Sequence, residues 1–180
     1  MQTELPHVTD ILKAAALIDT AFMSDTDRDT GTAVHLATQY WDEGTLDVDS
    51  IGGRVLARLN QYRRFLNDAR PQILAIEQHV VNKKYGYQGT LDRLVTINGR
   101  RGVLDIKGAT PMPFHGPQLA AYAGCFAEPL MRWDLYLIDD AYKLVDQNSR
   151  KDWPVFVAAL TIHNWRTEHD RNYHLPARSD

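Results

Sequence analysis

The chain reads as one α/β domain, an α/β sandwich in which helices flank a central mixed sheet. Two observations predict this. Apolar residues recur at spacings of three and four before residue 70 and in shorter, strand-like runs after it. An Asn98-Gly99 dipeptide then sits between two apolar-rich runs, the strongest short-range hairpin signal. The 180 residues suffice for one proper core and leave no room for an additional motor domain.

In order, Thr9 can cap a first helix reaching about 18, with Val8, Ile11, Leu12 and Ala15 on one side. The polar stretch 24–29 reads as a loop. A second helix is expected from about 32 to 42, carrying His35 and stopping at Gly44. Ile51, Val55, Leu59, Tyr62 and Leu66 mark a long amphipathic helix over about 48–69, closed by Pro71. Ile73, Leu74, Ile76, Val80 and Val81 then form a first strand, and the Asn98-Gly99 hairpin supplies two more. The segment 108–117, with three prolines and two glycines, is a loop leading into a helix over about 118–126. Residues 132–138 and 142–145 complete the sheet, so a meander of about three strands is joined by two others. A last helix starts near Asp152, with Pro154 in its first turn, and runs to about 166. The parts are thus a helical N-terminal portion (5–70), a core (72–168) and a loose tail (169–180).

Composition narrows the function. Apolar residues at 44% and charged residues at 24% describe an ordinary globular protein. No apolar run approaches a membrane span and no signal-like segment opens the chain, so a cytoplasmic protein without a membrane partner is expected. The lone Cys125 cannot form an internal disulfide and reads as a core thiol. No phosphate-binding glycine loop occurs, hence no nucleotide cofactor. A net charge of -3 argues mildly against a protein that coats nucleic acid, but local basic clusters exist at Arg54, Arg58, Arg63 and Arg64, at Lys83-Lys84, and at Arg100-Arg101. A solvated helix face is the plainer reading of the first cluster.

Counting outward from the Asn98-Gly99 turn pairs Ile97 with Arg100, places Asp92 opposite Asp105, and Thr90 opposite Lys107. Opposed residues share a face with Cβ atoms roughly 5 Å apart, and Lys107 shares the face of Asp105 because side chains alternate. Two carboxylates so close repel unless a proton or a cation lies between them. Hard oxygen donors with a lysine beside them suit a divalent metal acting on a phosphate. Gln118 and Tyr122, four apart on one helix face, could support Lys107 and meet a phosphate.

These residues fall into a recognisable order. Glu77, Gly89-Thr90-Leu91-Asp92, Asp105-Ile106-Lys107 and Gln118-Leu119-Ala120-Ala121-Tyr122 resemble the core of the PD-(D/E)XK nuclease superfamily, and Gly31-Thr32-Ala33-Val34-His35 resembles the Gly-Thr-x-x-His element of its RecB-type branch. Leu5 to Leu12 is similar to the opening of phage members, with His7 where serine is commoner. The branch includes viral exonucleases and the mitochondrial genome maintenance exonuclease. The resemblance implies a restriction-endonuclease-like core and a site in which Asp92 and Asp105 ligate Mg²⁺, with Mn²⁺ substituting, as one or two ions. It adds the Ile106 backbone carbonyl as a ligand, Glu77 on a second metal or a metal-bound water, and His35 binding the metal or closing over it. Lys107, Gln118 and Tyr122 complete the catalytic set.

The activity expected is a metal-dependent DNA exonuclease acting from DNA ends in phage-type recombination, replication or repair, in the bacterial host cytoplasm if phage-encoded. A structure-specific or flap endonuclease on the same fold and a catalytically silent DNA-binding subunit are the alternatives. A homo-oligomer or a phage recombination partner is left open.

Overall fold

The change of period near residue 70 is a structural boundary. In a computed structural model that describes residues 4–18, 24–108 and 110–170, the helical portion comprises α1 (Val8–Ala14), α2 (Asp25–Glu43) and α3 (Gly53–Ala69). Arg70, at φ 45°, turns the chain out of α3 ahead of Pro71. Strands β1 (Gln72–Asn82), β2 (Tyr87–Ile97) and β3 (Arg100–Lys107) follow, then α4 (His115–Ala123), β4 (Met131–Leu137), β5 (Tyr142–Asp146) and α5 (Asp152–Asp170).

The five strands lie in sequence order, antiparallel except for β3 and β4, which run parallel. A parallel neighbour demands a crossover, and α4 supplies it. One face of the sheet packs on α1, α4 and α5 through Ile11, Leu119, Phe156, Leu91, Leu94 and Val103. The other packs on α2 and α3 through Val34, Leu59, Phe65, Val95, Ile97 and Leu104. The result is the expected α/β sandwich around a mixed sheet.

Several boundaries differ from expectation. α1 starts at Val8 without a side-chain cap from Thr9 and stops at Ala14. Its entry is pinned instead by the sheet, since the Gln88 N–H donates to Pro6 O at 3.0 Å. The expected loop at 24–29 is helix: Ser24 Oγ accepts the Asp27 N–H at 3.1 Å as an N-cap, and acidic residues suit the positive end of a helix. A 3-10 turn at Val48–Ser50 precedes α3, so the long helix is five residues shorter than its apolar pattern suggested. α4 begins at His115 with Pro117 in its first turn, and α5 extends through Asp170, so only 171–180 of the expected tail lies outside the described residues.

Asn98 (φ 50°) and Gly99 (φ 73°) both take positive φ, as a type I′ turn requires. The pairs run from Ile97↔Arg100 to Arg93↔Leu104. There the ladder stops, one step short of the expected Asp92–Asp105 pair and before the expected Thr90–Lys107 pair. Around this point the sheet is irregular. Leu91 and Leu94, three residues apart, enter the same core, so strict alternation along β2 slips between them. On β1 the register shifts between Ile73 and Ala75, and Glu77 is held at φ 46°.

Arg93 occupies this slip. It is fully buried. Its Nε donates to Asp42 Oδ2 on α2 at 2.6 Å, where the Tyr62 hydroxyl of α3 also donates at 2.6 Å. Its Nη1 reaches Glu77 Oε1 at 3.2 Å and the Asp92 carbonyl at 2.7 Å. Arg93→Leu would leave the Asp42 carboxylate buried without its counter-charge, so urea unfolding should show a loss of about 3–5 kcal/mol. Arg63→Ala, which removes an exposed guanidinium lying 4.4 Å from the Trp41 ring centre, should cost no more than about 1 kcal/mol. Equal losses would mean that the buried network does not anchor the helices.

Candidate active site

The predicted residues converge where β2 and β3 part. Asp92 Oδ2 accepts the Ile106 N–H at 2.7 Å, so a side chain takes over from the backbone ladder. Asp105, 2% exposed, lies at the bottom. Its Oδ2 meets Lys107 Nζ at 2.5 Å as an ion pair without the alignment of a hydrogen bond, and no other donor reaches it. Lys107 Nζ donates to Gln118 Oε1 at 2.8 Å, and Gln118 Nε2 donates to the Tyr122 hydroxyl at 3.2 Å. These two α4 residues support the lysine, as their four-residue spacing suggested.

Gly89 has a local reason. A Cβ there would stand 2.7 Å from the Tyr122 ring and 3.2 Å from Val8, so the run Gly89-Thr90-Leu91-Asp92 opens with the residue that lets Tyr122 pack against β2. His35 and Glu77 stand at the rim, with side chains 38% and 33% exposed. His35 Nδ1 is 3.3 Å from Asp92 Oδ2, which brings α2 over the site. Glu77 is turned to Arg93 rather than to the paired aspartates.

Burial sets the electrostatics. It pushes the Asp105 carboxyl above its ordinary range, and the neighbouring Asp92 adds to the effect. Burial alone would lower Lys107, but Asp105 and Asp92 outweigh it and hold the ammonium charged. Tyr122 is raised chiefly by burial, then by Asp105, so its hydroxyl stays a neutral donor. Burial also raises the Cys125 thiol to about 11, which leaves it without nucleophilic character at neutral pH.

A second polar group went unseen in the sequence. Asp134 on β4 pairs directly with Asp105 across the parallel ladder, and Tyr136 pairs with Lys107. Asp134 is fully buried; its Oδ2 accepts from Gln147 Nε2 at 2.7 Å and from the Tyr136 hydroxyl at 3.1 Å, while its Oδ1 has no partner. His115 Nδ1 lies 2.9 Å from the Tyr136 hydroxyl. Burial, with Lys107 adding to it, lowers this imidazole to about 3, so it is neutral and inside the protein. The two-residue spacing of Asp134 and Tyr136 placed them on one strand face, but nothing in the sequence said that this strand lies beside β3.

Among the described residues no three His, Cys, Asp or Glu side chains converge as a ligand set. The donor chemistry at Asp92 and Asp105 nonetheless suits a hard divalent cation: two carboxylates, one with a buried oxygen that only the Lys107 ammonium reaches, few enough protein ligands for an ion that keeps several waters. The Ile106 carbonyl belongs to the same β3 segment.

Asp134 is raised by burial and then by Asp105, to about 6. A carboxyl raised on folding adds stability when protonated, at pH below its unfolded value of 3.8, and loses it as pH rises through about 6. In chelator, the stability advantage of the parent over Asp134→Asn should therefore shrink between about pH 4 and pH 7, by roughly 3 kcal/mol. Melts of both proteins across that range check this; a constant difference would mean that Asp134 does not titrate there.

No protein-family model matches the chain, and no curated protein matches it. A solved structure titled "Crystal structure of SSO0001" is similar over 100% of this chain and 89% of that chain, at 14% identity and a TM-score of 0.47.

Proposed function

We propose that this protein is a metal-dependent DNA exonuclease of PD-(D/E)XK type, hydrolysing phosphodiester bonds from DNA ends in recombination, replication or repair. The observation that supports it most is the convergence of Asp92, Asp105 and Lys107, with Gln118 and Tyr122 behind them, in the order that resembles the RecB-type branch.

In this reading Asp92 and Asp105 hold Mg²⁺ or Mn²⁺, with the Ile106 carbonyl. A divalent cation there supplies Lewis-acid stabilisation of phosphate charge and makes water a better nucleophile. Lys107 orients the attacking water and offsets charge developing on the phosphate. Water oxygen would bond to phosphorus as the ester P–O bond breaks, the proton released by the attacking water passing to solvent and the departing oxygen taking one from solvent. Gln118 fixes Lys107, and Tyr122 offers a neutral hydroxyl to a phosphate oxygen. His35, at the exposed rim, would close the site from α2, and Glu77 would have to leave Arg93 to join it.

Of the basic clusters, the one on α3 reaches the end of β3 through Arg58. A Cβ on Gly108, the residue after Lys107, would lie 3.8 Å from Arg58 Nη1. Arg58 Nε is 3.1 Å and Arg54 Nε 3.4 Å from Asp139, contacts a phosphate can replace. Lys83 and Lys84 lie at the far turn between β1 and β2, and Arg101 is paired with Glu128.

End-labelled linear DNA should be degraded progressively in Mg²⁺ while closed circles survive. Rapid nicking or linearisation of circles would move the assignment to an endonuclease, and inertness toward both would leave a silent DNA-binding subunit. Asp92→Asn and Asp105→Asn should each lower cleavage by at least about a thousandfold without unfolding the protein. Retained cleavage by Asp92→Asn would show the site to be elsewhere.

DNA binding in Ca²⁺ should weaken steeply with salt, and neutralising Arg54 and Arg58 together should reduce that log–log slope by about 1–2. An unchanged slope would remove this pair from the DNA path.

A further inference from the structure

On the metal-dependent reading, Lys107 stands where a cation on Asp105 would bind. Its ammonium stands 2.5 Å from Asp105 Oδ2, the oxygen with no other donor. A cation and an ammonium cannot share one carboxylate oxygen at such distances without strong repulsion. Loading the site therefore requires Lys107 to give way, yet a buried ammonium needs an anion wherever it goes.

The fold holds one in reserve. Asp105 and Asp134 are paired across the parallel β3–β4 ladder, as are Lys107 and Tyr136, so Asp134 stands diagonally beside Lys107 and is among the charges it feels. The Asp134 Oδ2 is fixed by Gln147 and Tyr136, with His115 Nδ1 at 3.8 Å, whereas Oδ1 is fully enclosed and unpartnered. An orphaned carboxylate oxygen costs stability unless something uses it.

We propose that Asp134 is a positioning residue that receives the Lys107 ammonium when a cation takes Asp105, making metal loading and lysine positioning a single coupled event. Gln118 keeps the amine at the site during the exchange. The inference rests on the metal-dependent reading above and assigns to Asp134 a role that the motif residues do not cover.

The test is calorimetric titration of Mn²⁺ into the full chain, stripped of metal, for the parent, Asp134→Asn, Lys107→Met and the double variant, with melts confirming that each is folded. Asp134→Asn should bind Mn²⁺ roughly tenfold more weakly, an ordinary size for coupling between two sites. Lys107→Met should bind it more tightly than the parent, because the competitor is gone. The double variant should match Lys107→Met, since without an ammonium the reserve anion has nothing to hold; a general structural role for Asp134 would weaken binding equally in both backgrounds.

Unchanged affinity in Asp134→Asn, the same loss in the Lys107→Met background, or Lys107→Met binding no tighter than the parent would each overturn the proposal. Should Asp134→Asn fail to fold, Asp134→Leu, compared in the parent and Lys107→Met backgrounds by the same criteria, takes its place. Parent protein that binds Mn²⁺ and degrades linear DNA while showing no such coupling defeats this inference and leaves the nuclease reading standing. Coupling without DNA hydrolysis does the reverse, and a parent that binds no Mn²⁺ defeats both.

Discussion

A single buried guanidinium joins the layers that make the candidate site. Arg93 follows Asp92 on β2 but faces the opposite helix layer, where Asp42 of α2 and Tyr62 of α3 close around it. The same group holds the Asp92 carbonyl and the Glu77 carboxylate. Because Asp42 lies two turns beyond His35 on α2, this ion pair also sets where the His35 imidazole hangs over Asp92. Breaking a buried pair by removing one partner is expensive, so the site inherits the rigidity of an interaction that is costly to lose. The irregular backbone nearby, with Glu77 at φ 46° and alternation slipping between Leu91 and Leu94, is strain that such a network can hold in place.

How much of this was legible in the sequence depends on how local the determinants are. The Asn98-Gly99 turn fixed its register through backbone sterics alone, and the pairs from Ile97↔Arg100 to Arg93↔Leu104 follow from it. Counting carried the register up to the aspartates but could not see that the strands part there, because the parting depends on the Asp92 side chain capturing the Ile106 N–H. Gln118 and Tyr122 were legible for the same local reason, helical spacing. The stretch 24–29 was misread as loop because residues that favour turns are also those that cap and open helices, and only the Ser24–Asp27 bond distinguishes the two. Asp134 and Tyr136 were beyond reach: their approach to Lys107 comes from the parallel pairing of β3 with β4 across α4, a tertiary fact without a local signature. Arg93 hid in plain view, since an arginine in an apolar strand gives no hint of which carboxylate it meets.

The charge balance shows why the site is poised rather than settled. Three carboxylates, Asp92, Asp105 and Asp134, gather around one ammonium, with Asp105 and Asp134 both raised chiefly by burial. A cation added to Asp105 would relieve repulsion that packing alone cannot, and the fold would gain from binding what its own side chains leave unsatisfied. A metal-free arrangement optimised for stability would replace one of these acids by an amide, at little cost in volume. Three acids in so small a space, in a chain whose other described carboxylates are mostly paired or exposed, are a concentration of charge that one ammonium only partly offsets. The lysine supplies that partial offset, meeting Asp105 as an ion pair while Gln118 holds the lysine.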